Sequence, residues 1–458
     1  MTTSLRRAVA FAAVATLAVA GPTLGPATVL PFGLVAVLAF ATTGGVVFEF
    51  FATPADRHVG RLVGLASFSL GIAALALLTA AMDLPVVVFV GTVLLVGYGE
   101  VGAQVATRVR SAPVVGVTGF LAAAVVAGVA GQLTAGWLAT GPLAATAVFD
   151  GALSGLPLDL APTAGARQPA LPVVVFLATA GATLAALLRS VLAAREDPLV
   201  LVAVALFLWL FADVGVTVDT QGIVVAVAVT AGLGYVSWAL DTASIPGMLT
   251  GVLLSLLTVV LGGYGWFVVL VAFFGIGGLA SKFRYEQKVE RGVAEPRGGA
   301  RGSGNVLGNA APALVAVVLY AAHARLGVPG EVFRLAFAGS LATALGDTLS
   351  SEVGGLYDDP RLITTLERVE PGTDGAVTWQ GQVAGIAGAG LVAGLSFLLF
   401  GLGAGSAALV LVAGVVGMTV DSLLGALVEG RYVGNQSVNF LATAAGAVAG
   451  AVFALFGG

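Results

Sequence analysis

The sequence predicts an all-α fold, a polytopic transmembrane helix bundle with about 14–16 spans. Hydrophobic residues make up 58% of the 458-residue chain and charged residues only 10%, with a mean hydropathy of +1.04. Soluble domains carry about 25% charged residues, so a soluble fold is excluded. Apolar runs of spanning length recur from residues 28–48 to 438–456. These runs lack the period-two alternation of a barrel strand, so helices are predicted.

The first half of the chain, residues 1–240, is predicted to be a transmembrane region whose role the sequence does not indicate. Its first apolar run also resembles a signal peptide, but the many spans that follow favour an uncleaved helix. The charges of this half lie mainly in short connections and are interpreted as solvated loop ends. The candidate spans lie near residues 5–20, 28–48, 62–81, 85–98, 113–130, 132–148, 171–188, 199–212 and 222–240.

The second half, residues 241–458, holds the polar loops. They cover 281–304, with six Lys and Arg, 351–381, with Arg361 and Arg368, and 429–437, with Arg431, whereas the connection at 323–331 holds only Arg325. The positive-inside rule therefore places all three polar loops in the cytoplasm. Eleven candidate spans precede residue 281, and an odd number of spans from a cytoplasmic N-terminus would place the first polar loop outside the cell. One of the candidate spans must therefore be wrong. The suspect runs are the short ones at 85–98, 199–212 and 248–260. The candidate spans of this half lie near 248–260, 262–280, 305–322, 332–350, 382–402, 406–424 and 438–456.

The composition restricts the chemistry of any site. The chain has no cysteine and two histidines, His58 and His323. Disulfides, haem ligation and typical zinc sites therefore lack their ligands. A metal here would be a hard, oxygen-bound cation such as Mg²⁺. The 65 glycines are interpreted first as close-packing positions between membrane helices.

The first polar loop ends in the Gly-rich segment GGARGSGN and runs directly into a predicted helix. Free backbone N–H groups at a helix start, with Arg297 and Arg301 beside them, favour binding of a phosphate. Lys282 adds a cation at the other end of the loop, and Asn305 and Asn309 share one helix face. The alternative is a flexible basic loop that touches lipid headgroups.

Two predicted helices carry carboxylates near their cytoplasmic ends. One ends in GDTLSSEVGG, with Asp347, Ser351 and Glu352, and the other in VDSLLGALVEG, with Asp421. Acidic groups at a helix C-terminus are disfavoured by the dipole and favour a cation. Asp347 and Asp421 are therefore predicted to share a Mg²⁺ ion, with Glu352 as second-choice ligand or base. The alternative is that each carboxylate pairs with a nearby Arg.

The last helix opens with Asn435 and Asn439, at the same spacing as Asn305 and Asn309. Acidic helix ends and Asn-bearing helix starts are thus expected to converge on one site. The middle loop contains ITTLERVEPGTDGAVTWQG, whose Pro-Gly and Asp-Gly steps predict a tight hairpin. That hairpin would cover the site or, alternatively, lie plainly on the surface.

These motifs make residues 241–458 resemble a known family. RGSGNVLGN, ATALGDTLSSEVG, EPGTDGAV, DSLLGA and the closing NQSVN occur in order. They are similar to the integral-membrane family that includes plant phytyl-phosphate kinase and animal transmembrane protein 19. The resemblance implies a prenyl-phosphate kinase that converts a monophosphate, such as phytyl or geranylgeranyl phosphate, to the diphosphate with CTP or ATP.

The expected enzyme is a Mg²⁺-dependent phosphotransferase in the cell membrane, with its active-site loops facing the cytoplasm. Its expected partners are the prenyl-phosphate lipid, a nucleoside triphosphate and membrane lipids, with no nucleic acid; the sequence carries no signal for an oligomeric state. Catalysis is assigned to Asp347, Glu352 and Asp421. Substrate binding is assigned to Lys282, Arg297, Arg301, Asn305, Asn309, Ser351, Asn435 and Asn439. A prenyl-alcohol kinase, a cytidylyltransferase and a lipid transporter or flippase remain alternatives.

Overall fold

The computed structural model describes residues 3–140, 170–192, 197–294 and 301–456. In these residues the structure is helical except for one two-stranded ribbon. Thirteen of the described helical segments are long and apolar enough to cross a membrane. The predicted fold class is therefore confirmed, and the chain is a multi-pass integral membrane protein.

The chain divides into two compact units, Met1–Val225 and Ala226–Gly458. Two short 3-10 segments, Leu17–Ala20 and Gly25–Thr28, interrupt the first span of the N-terminal unit. The helices that begin in this unit are α1 (Thr3–Thr16), α2 (Gly21–Leu24), α3 (Val29–Ala41), α4 (Gly45–Phe51), α5 (Pro54–Val59), α6 (Val63–Ala81), α7 (Val86–Val109), α8 (Pro113–Thr140), α9 (Leu171–Val191), α10 (Asp197–Val214) and α11 (Thr220–Ala239), the last of which continues into the second unit.

The C-terminal unit contains the ribbon and the remaining helices. Its strands β1 (Arg361–Leu362) and β2 (Ala376–Val377) pair antiparallel. Its helices are α12 (Ile245–Gly262), α13 (Tyr264–Lys282), α14 (Tyr285–Glu290), α15 (Ser303–Ala321), α16 (His323–Leu326), α17 (Gly330–Gly354), α18 (Trp379–Phe400), α19 (Ala404–Val428) and α20 (Asn435–Phe456).

Some predicted spans were wrong in their limits. The runs at 113–130 and 132–148 are one helix as far as Thr140, and residues 141–148 lie outside the described residues. The three runs suspected of being too short belong to α7, α10 and α12, which have 24, 18 and 18 residues. The apolar run underestimates α7 because that helix continues through polar residues such as Glu100 and Gln104, which pair inside the protein.

The interpretation of this half's charges as solvated loop ends was wrong for Asp56 and Asp197, which are buried, and for Arg189, which pairs with Asp197. The Arg189 guanidinium donates to Asp197 Oδ1 (2.9 Å) and to Glu100 Oε2 (2.8 Å), and Asp197 is buried. Glu100 lies within α7 rather than in a connection. A carboxylate inside an apolar bundle needs a cation, and Arg189 at the end of α9 supplies it.

Helix α17 is the centre of the C-terminal unit. It packs against α13, α15, α18, α19 and α20. Close approach depends on glycines: a Cβ at Gly339 would meet the Gly446 carbonyl of α20, and a Cβ at Gly414 of α19 would meet Ala342. Small residues let backbones approach where lipid gives helices no hydrophobic reason to associate. The interpretation of glycines as packing positions therefore holds at these crossings.

Candidate functional site

One end of the C-terminal unit, here called the polar end, gathers most of the predicted site residues. Helices α13, α17 and α19 finish there, and α15, α18 and α20 begin there. Short contacts join these ends: β2 lies against both α17 and α19, and a Cβ at Gly354 would meet Thr378, the residue that caps α18. The three polar loops of the sequence therefore meet at one end of the bundle.

The structure brings Asp347 and Asp421 together. Asp347 lies on α17 and Asp421 on α19, each seven residues before the last residue of its helix, at 354 and 428. The two helices run parallel, and the two carboxyl groups lie within interaction distance of each other. At 1.5 Å per residue, the pair lies about 10 Å below the helix ends. Two negative charges this close repel, so the pair holds either a proton or a cation.

The donor set around this pair fits Mg²⁺. Asp421 Oδ1 is buried and accepts no hydrogen bond within the described part of the chain. The same residues contain no group of three His, Cys, Asp or Glu side chains that could hold a metal ion. Mg²⁺ is commonly bound by one or two carboxylates together with substrate phosphates rather than by an all-protein cage. Asp347 and Asp421 would supply those carboxylates.

A second acidic group lies beside the pair. Glu429 follows α19 directly, near Asp374 of the middle loop and near Asp421, and its side chain hydrogen-bonds with Asn435. Burial raises the pKa of Glu429 above its ordinary value, and the charge of Asp374 raises it further. The bond with Asn435 acts in the opposite direction. The polar end thus concentrates negative potential, which favours a cation.

The middle loop folds against α19. The prediction of a tight hairpin was wrong in its size: strands β1 and β2 pair as a ribbon of two residues each and are joined by the long connection 363–375. Ile363 N–H donates to the Gly375 carbonyl (3.1 Å) across that connection. The Pro-Gly step makes a tight turn, in which Thr373 N–H donates to the Glu370 carbonyl (3.2 Å) and Gly372 has φ +84°. The turn is of type II, which requires φ above zero at the position after Pro.

Gly375 attaches this loop to the helix that carries Asp421. Its φ is +76°, and a Cβ there would collide with the Ala426 backbone nitrogen and the Ser422 carbonyl. Only glycine satisfies both the backbone conformation and the close approach. The loop therefore lies on the last two turns of α19, beside the carboxyl pair.

The two Asn-bearing helix starts pack against each other. Asn309 Nδ2 donates to the Asn305 carbonyl (2.9 Å), and Asn439 Nδ2 lies 3.4 Å from its acceptor, Asn435 Oδ1. A Cβ at Gly308 would meet the backbone of Gln436 in the first turn of α20. Asn309 and Asn439 are buried, whereas Asn435 is exposed. Asn305 Oδ1 is buried without a hydrogen bond from the described residues, so it is an acceptor available to a ligand.

A proline holds these two helices together. Pro312 lies inside α15 and has no N–H, so the Gly308 carbonyl four residues earlier loses its usual helical donor. Thr443 Oγ1 of α20 lies 3.1 Å from that carbonyl and shares its one hydroxyl hydrogen between it and the Asn439 carbonyl of its own helix (2.7 Å). A buried carbonyl in lipid has to find a partner, and α20 supplies it.

The three cationic residues predicted to bind the substrate differ in their surroundings. Arg301 is held by its backbone, since its N–H donates to the Thr242 carbonyl and its own carbonyl accepts from Ser244 N–H, both at 3.1 Å. Its guanidinium lies over the Phe273 ring of α13, 5.5 Å from the centroid. Lys282 is exposed and donates to the Leu240 carbonyl after α11 (3.2 Å). Arg297 lies outside the described residues.

Glu352 and Ser351 occupy positions different from those of the carboxyl pair. Glu352 is buried and forms an ion pair with Lys288 Nζ (2.5 Å), which ties the first loop to the end of α17. Ser351 is exposed, and its hydroxyl donates to the Asp347 and Thr348 carbonyls of its own helix (3.0 and 3.1 Å). Glu352 is therefore neutralised by a partner and is not poised to act as a free base.

Sequence reasoning missed several residues of this region. By sequence, Lys288 is one basic residue of the first loop among several, but its ion-pair partner is Glu352, 64 residues away. Gln436, Asp374 and Thr443 were not singled out. One signal was available: a proline inside a predicted membrane helix indicates a free carbonyl one turn earlier.

Comparisons with known proteins cover the same half of the chain. Residues 228–450 match the model of the family described as "Integral membrane protein DUF92". Uncharacterized membrane protein MJ0933 of Methanocaldococcus jannaschii is 37% identical over 194 residues, 41% of this chain and 76% of the relative. Uncharacterized membrane protein sll0875 of Synechocystis sp. is 34% identical over 197 residues, 40% of this chain and 72% of the relative.

A plant relative is more distant. Protein VTE6, chloroplastic, of Arabidopsis thaliana is 30% identical over 210 residues, 45% of this chain and 63% of the relative. No solved structure matches the chain. Since this chain is similar to most of the length of two relatives and its C-terminal unit matches the family model, it belongs to the DUF92 family of integral membrane proteins.

Proposed function

We propose that this protein is a prenyl-phosphate kinase. It transfers the terminal phosphoryl group of CTP or ATP to an isoprenoid monophosphate, such as phytyl or geranylgeranyl phosphate, and releases the prenyl diphosphate and a nucleoside diphosphate. The observation that carries the proposal is the half-buried Asp347–Asp421 carboxyl pair at the polar end of a membrane bundle. The family resemblance implies the same activity, and a relative in the family is Protein VTE6, chloroplastic.

This phosphoryl transfer requires that the two substrates be positioned and their negative charges neutralised, and it does not require a general base. An oxygen of the prenyl phosphate forms a bond to the terminal phosphorus of the nucleotide, and the bond from that phosphorus to the bridging oxygen breaks. A phosphate monoester is already ionised near neutral pH, with a second pKa of about 6, so no residue has to remove a proton. This agrees with Glu352, which is neutralised by Lys288.

The residues at the polar end supply what the transfer needs. Mg²⁺, held by Asp347 and Asp421, would offset the charge that the phosphates bring together. The guanidinium of Arg301, which lies over Phe273 near the start of α15, would add positive charge beside the phosphates, and Asn305 Oδ1 is a buried acceptor for a donor group of a ligand. The loop around Gly375 lies beside the pair and would limit the access of water to the reacting groups.

Two alternative enzymes use the same site differently. An alcohol kinase has to remove a hydroxyl proton, and the ion pair with Lys288 makes Glu352 unavailable as the base for that step. A cytidylyltransferase would release pyrophosphate and leave CMP on the lipid. The mass of the lipid product separates both from the diphosphate.

A transporter is the non-enzymatic alternative. Transporters place substrate and ion sites near the bilayer midplane. Asp347 and Asp421 lie about 10 Å from one end of helices of 25 residues, which are about 37 Å long. Each carboxylate is thus seven residues from the end of its helix and five from its middle, at 342 and 416. Formation of a phosphorylated lipid in the transfer assay, rather than this depth, is therefore what separates an enzyme from a transporter.

The proposed location is the cytoplasmic face of the cell membrane. Lys282, Lys288, Arg291 and Arg301 all belong to segments at the polar end, whereas the connection between α15 and α17 at the opposite end contains Arg325. An excess of Lys and Arg marks cytoplasmic loops.

The decisive experiment is a transfer assay with the purified full chain in nanodiscs. CTP or ATP labelled at the terminal phosphate is supplied with phytyl, geranylgeranyl or farnesyl phosphate and Mg²⁺. A labelled prenyl diphosphate is the expected product, and Asp421→Asn serves as the inactive control. If no nucleotide and acceptor pair gives a labelled diphosphate, the proposed function is wrong.

A further inference from the structure

The carboxyl pair belongs to a close contact between the parallel helices α17 and α19. A Cβ at Gly417 of α19 would collide with Thr343 of α17. Asp347 follows Thr343 by four residues on α17, and Asp421 follows Gly417 by four residues on α19. Residues four apart lie on the same face of a helix, one turn from each other. The carboxyl pair is therefore the next contact along the same helix crossing.

A second close contact lies on the other side of the pair. Gly425 follows Asp421 by four residues, and a Cβ at Gly425 would lie 2.8 Å from the backbone nitrogen of Gly375 in the middle loop. Helix α19 thus packs without room for a methyl group one turn before Asp421 and one turn after it. The position of Asp421 is set by this packing, so the distance between the two carboxylates is set by it as well.

The contact at Gly417 has no room for adjustment. An added Cβ would overlap the Thr343 hydroxyl oxygen and would lie 2.5 Å from Thr343 Cγ2 and 2.8 Å from Thr343 Cβ. Thr343 is fully buried, and its hydroxyl donates to the Gly339 carbonyl (3.0 Å). Rotation about χ1 cannot remove the overlap, because Cβ does not move in that rotation. A side chain at residue 417 would therefore push α17 and α19 apart.

The size of this displacement matters for the choice of metal ion. Ordinary contact begins at 3.4 Å, so the Thr343 Cβ would have to move away from an added Cβ by about 0.6 Å or more. A bond from Mg²⁺ to oxygen is about 2.0–2.1 Å long, and a bond from Ca²⁺ to oxygen is about 2.3–2.6 Å long. The displacement is at least as large as the difference between these bonds, so it is large enough to change which ion the two carboxylates hold.

We infer that Gly417 is a positioning residue that keeps Asp347 and Asp421 close enough for Mg²⁺ and thereby disfavours Ca²⁺. The inference rests on the proposed function and specifies the cation of that site as a small ion with short bonds. Such an ion would contact the Oδ1 of Asp421, which is buried and accepts no hydrogen bond from the described residues. Gly417 acts through the spacing of two helices.

The test compares two substitutions that add the same methyl group. Gly417→Ala separates α17 from α19 beside the carboxyl pair. The matched control is Gly446→Ala, whose Cβ would overlap the same Thr343 oxygen but lies on α20, which carries neither carboxylate. The affinities for Mg²⁺ and Ca²⁺ are obtained from the dependence of Tm on ion concentration, with the full chain in phosphatidylcholine nanodiscs without nucleotide. Asp421→Asn corrects for ions that bind elsewhere.

Gly417→Ala should weaken Mg²⁺ binding by about tenfold or more and should not weaken Ca²⁺ binding, so the ratio of the two affinities falls. Gly446→Ala should lower the Tm and leave this ratio unchanged. Thr343→Gly removes every atom that the new methyl group would meet, so combining it with Gly417→Ala should return the ratio to near the wild-type value. A lower Tm with an unchanged ratio in Gly417→Ala would mean that Gly417 serves packing alone, and the inference would be wrong.

A milder variant provides the measurement if Gly417→Ala does not fold. A Cβ at Gly414 of α19 would lie 2.8 Å from the Cβ atoms of Ala342 on α17 and Ala389 on α18, two turns before Asp421. Gly414→Ala should therefore separate α17 from α19 by less than Gly417→Ala does. It should lower the ratio of Mg²⁺ to Ca²⁺ affinity by a smaller factor, and an unchanged ratio would contradict the inference.

These measurements use neither nucleotide nor lipid substrate, so they are independent of the transfer assay. If the ratio falls in Gly417→Ala but the wild type forms no labelled diphosphate, the kinase proposal fails and the role of Gly417 stands. If labelled diphosphate forms and the ratio is the same in Gly417→Ala and Gly446→Ala, the role of Gly417 fails and the kinase proposal stands. If the Tm of the wild type responds to both ions as that of Asp421→Asn does, the pair holds no divalent cation and the inference is wrong.

Discussion

At the scale of residues, Asp347 and Asp421 are both expected to be needed for cation binding at the polar end. Asp347 and Asp421 touch each other, so neither is a complete site alone. Asp347→Asn and Asp421→Asn should each lower kcat/KM by about a hundredfold or more, and the double variant should be little worse than either single variant. Steady-state kinetics with labelled nucleotide measure this.

Thermal unfolding with and without Mg²⁺ provides the control for this pair. The ion should raise the Tm of the wild type and not that of either Asn variant, because a ligand stabilises the state that binds it. Losses of activity that multiply in the double variant, together with an unchanged Mg²⁺ effect on Tm, would mean that the two carboxylates act separately.

Arg301 is expected to contact phosphate, and the structure adds a test of its aromatic contact. Arg301→Ala removes a charge and should raise KM for the nucleotide or the prenyl phosphate by about tenfold, whereas Arg301→Lys should restore part of the loss. Phe273→Leu removes the ring under the guanidinium but keeps the charge. If Phe273→Leu reproduces the whole effect of Arg301→Ala, the role of the arginine is packing rather than phosphate binding.

Glu429 makes stability depend on pH. Burial raises the pKa of this carboxyl, so the folded protein favours its protonated form. The stabilisation is complete below the ordinary pKa of a glutamate and is lost as pH rises through the raised pKa. Without divalent cations, the Tm of Glu429→Gln minus that of the wild type should therefore increase with pH. Asp374→Asn, which removes a neighbouring negative charge, should reduce that increase, and parallel Tm curves would contradict the assignment.

At the scale of elements, the middle loop depends on one glycine. Gly375→Ala should destabilise the loop by about 1–3 kcal/mol, since it adds strain at φ +76° and a collision with α19. The matched control is Gly372→Ala, which has φ +84° but whose Cβ would meet only Val293 Cγ1 at 3.4 Å and a Gly292 oxygen at 3.9 Å. Activity and loop proteolysis should change more in Gly375→Ala. Equal effects would mean that contact with α19 is unimportant.

The sequence predicts the elements better than their pairings. Apolar runs locate the helices of the C-terminal unit within a few residues, and the Pro-Gly step predicts the turn at Glu370–Thr373, because both signals are local. The convergence of Asp347 and Asp421 follows from helix direction, although their use as a metal site stays a prediction. The Lys288–Glu352 pair joins residues 64 apart, and no local pattern indicates it.

At the scale of the whole molecule, the family likeness resides in one unit. The family model covers residues 228–450, and the chain is similar to 76% of MJ0933 over 194 residues, which leaves that relative little length for a counterpart of the N-terminal unit. The sequence divides the chain at residue 240. The different roles that it assigns to the two parts stay a prediction.

A truncated chain tests that assignment. A chain that starts at Thr220 keeps α11 whole and should insert in membranes, keep the Mg²⁺ effect on Tm and phosphorylate the same acceptors within about tenfold of the full chain. Size-exclusion chromatography and the transfer assay measure this. A truncated protein that aggregates, while the full chain is active, would show that the N-terminal unit is needed for folding.

The proline of α15 has a consequence for precision. Helices in lipid can slide along each other without exposing apolar surface to water, and a shift by one residue moves a side chain 1.5 Å and turns it by about 100°. The Gly308 carbonyl that Pro312 releases has its bond with Thr443 at one register of α15 against α20. The carbonyl that lacks a helical donor thus favours one register of α15 against α20 and keeps the first turns of these two helices aligned at the polar end.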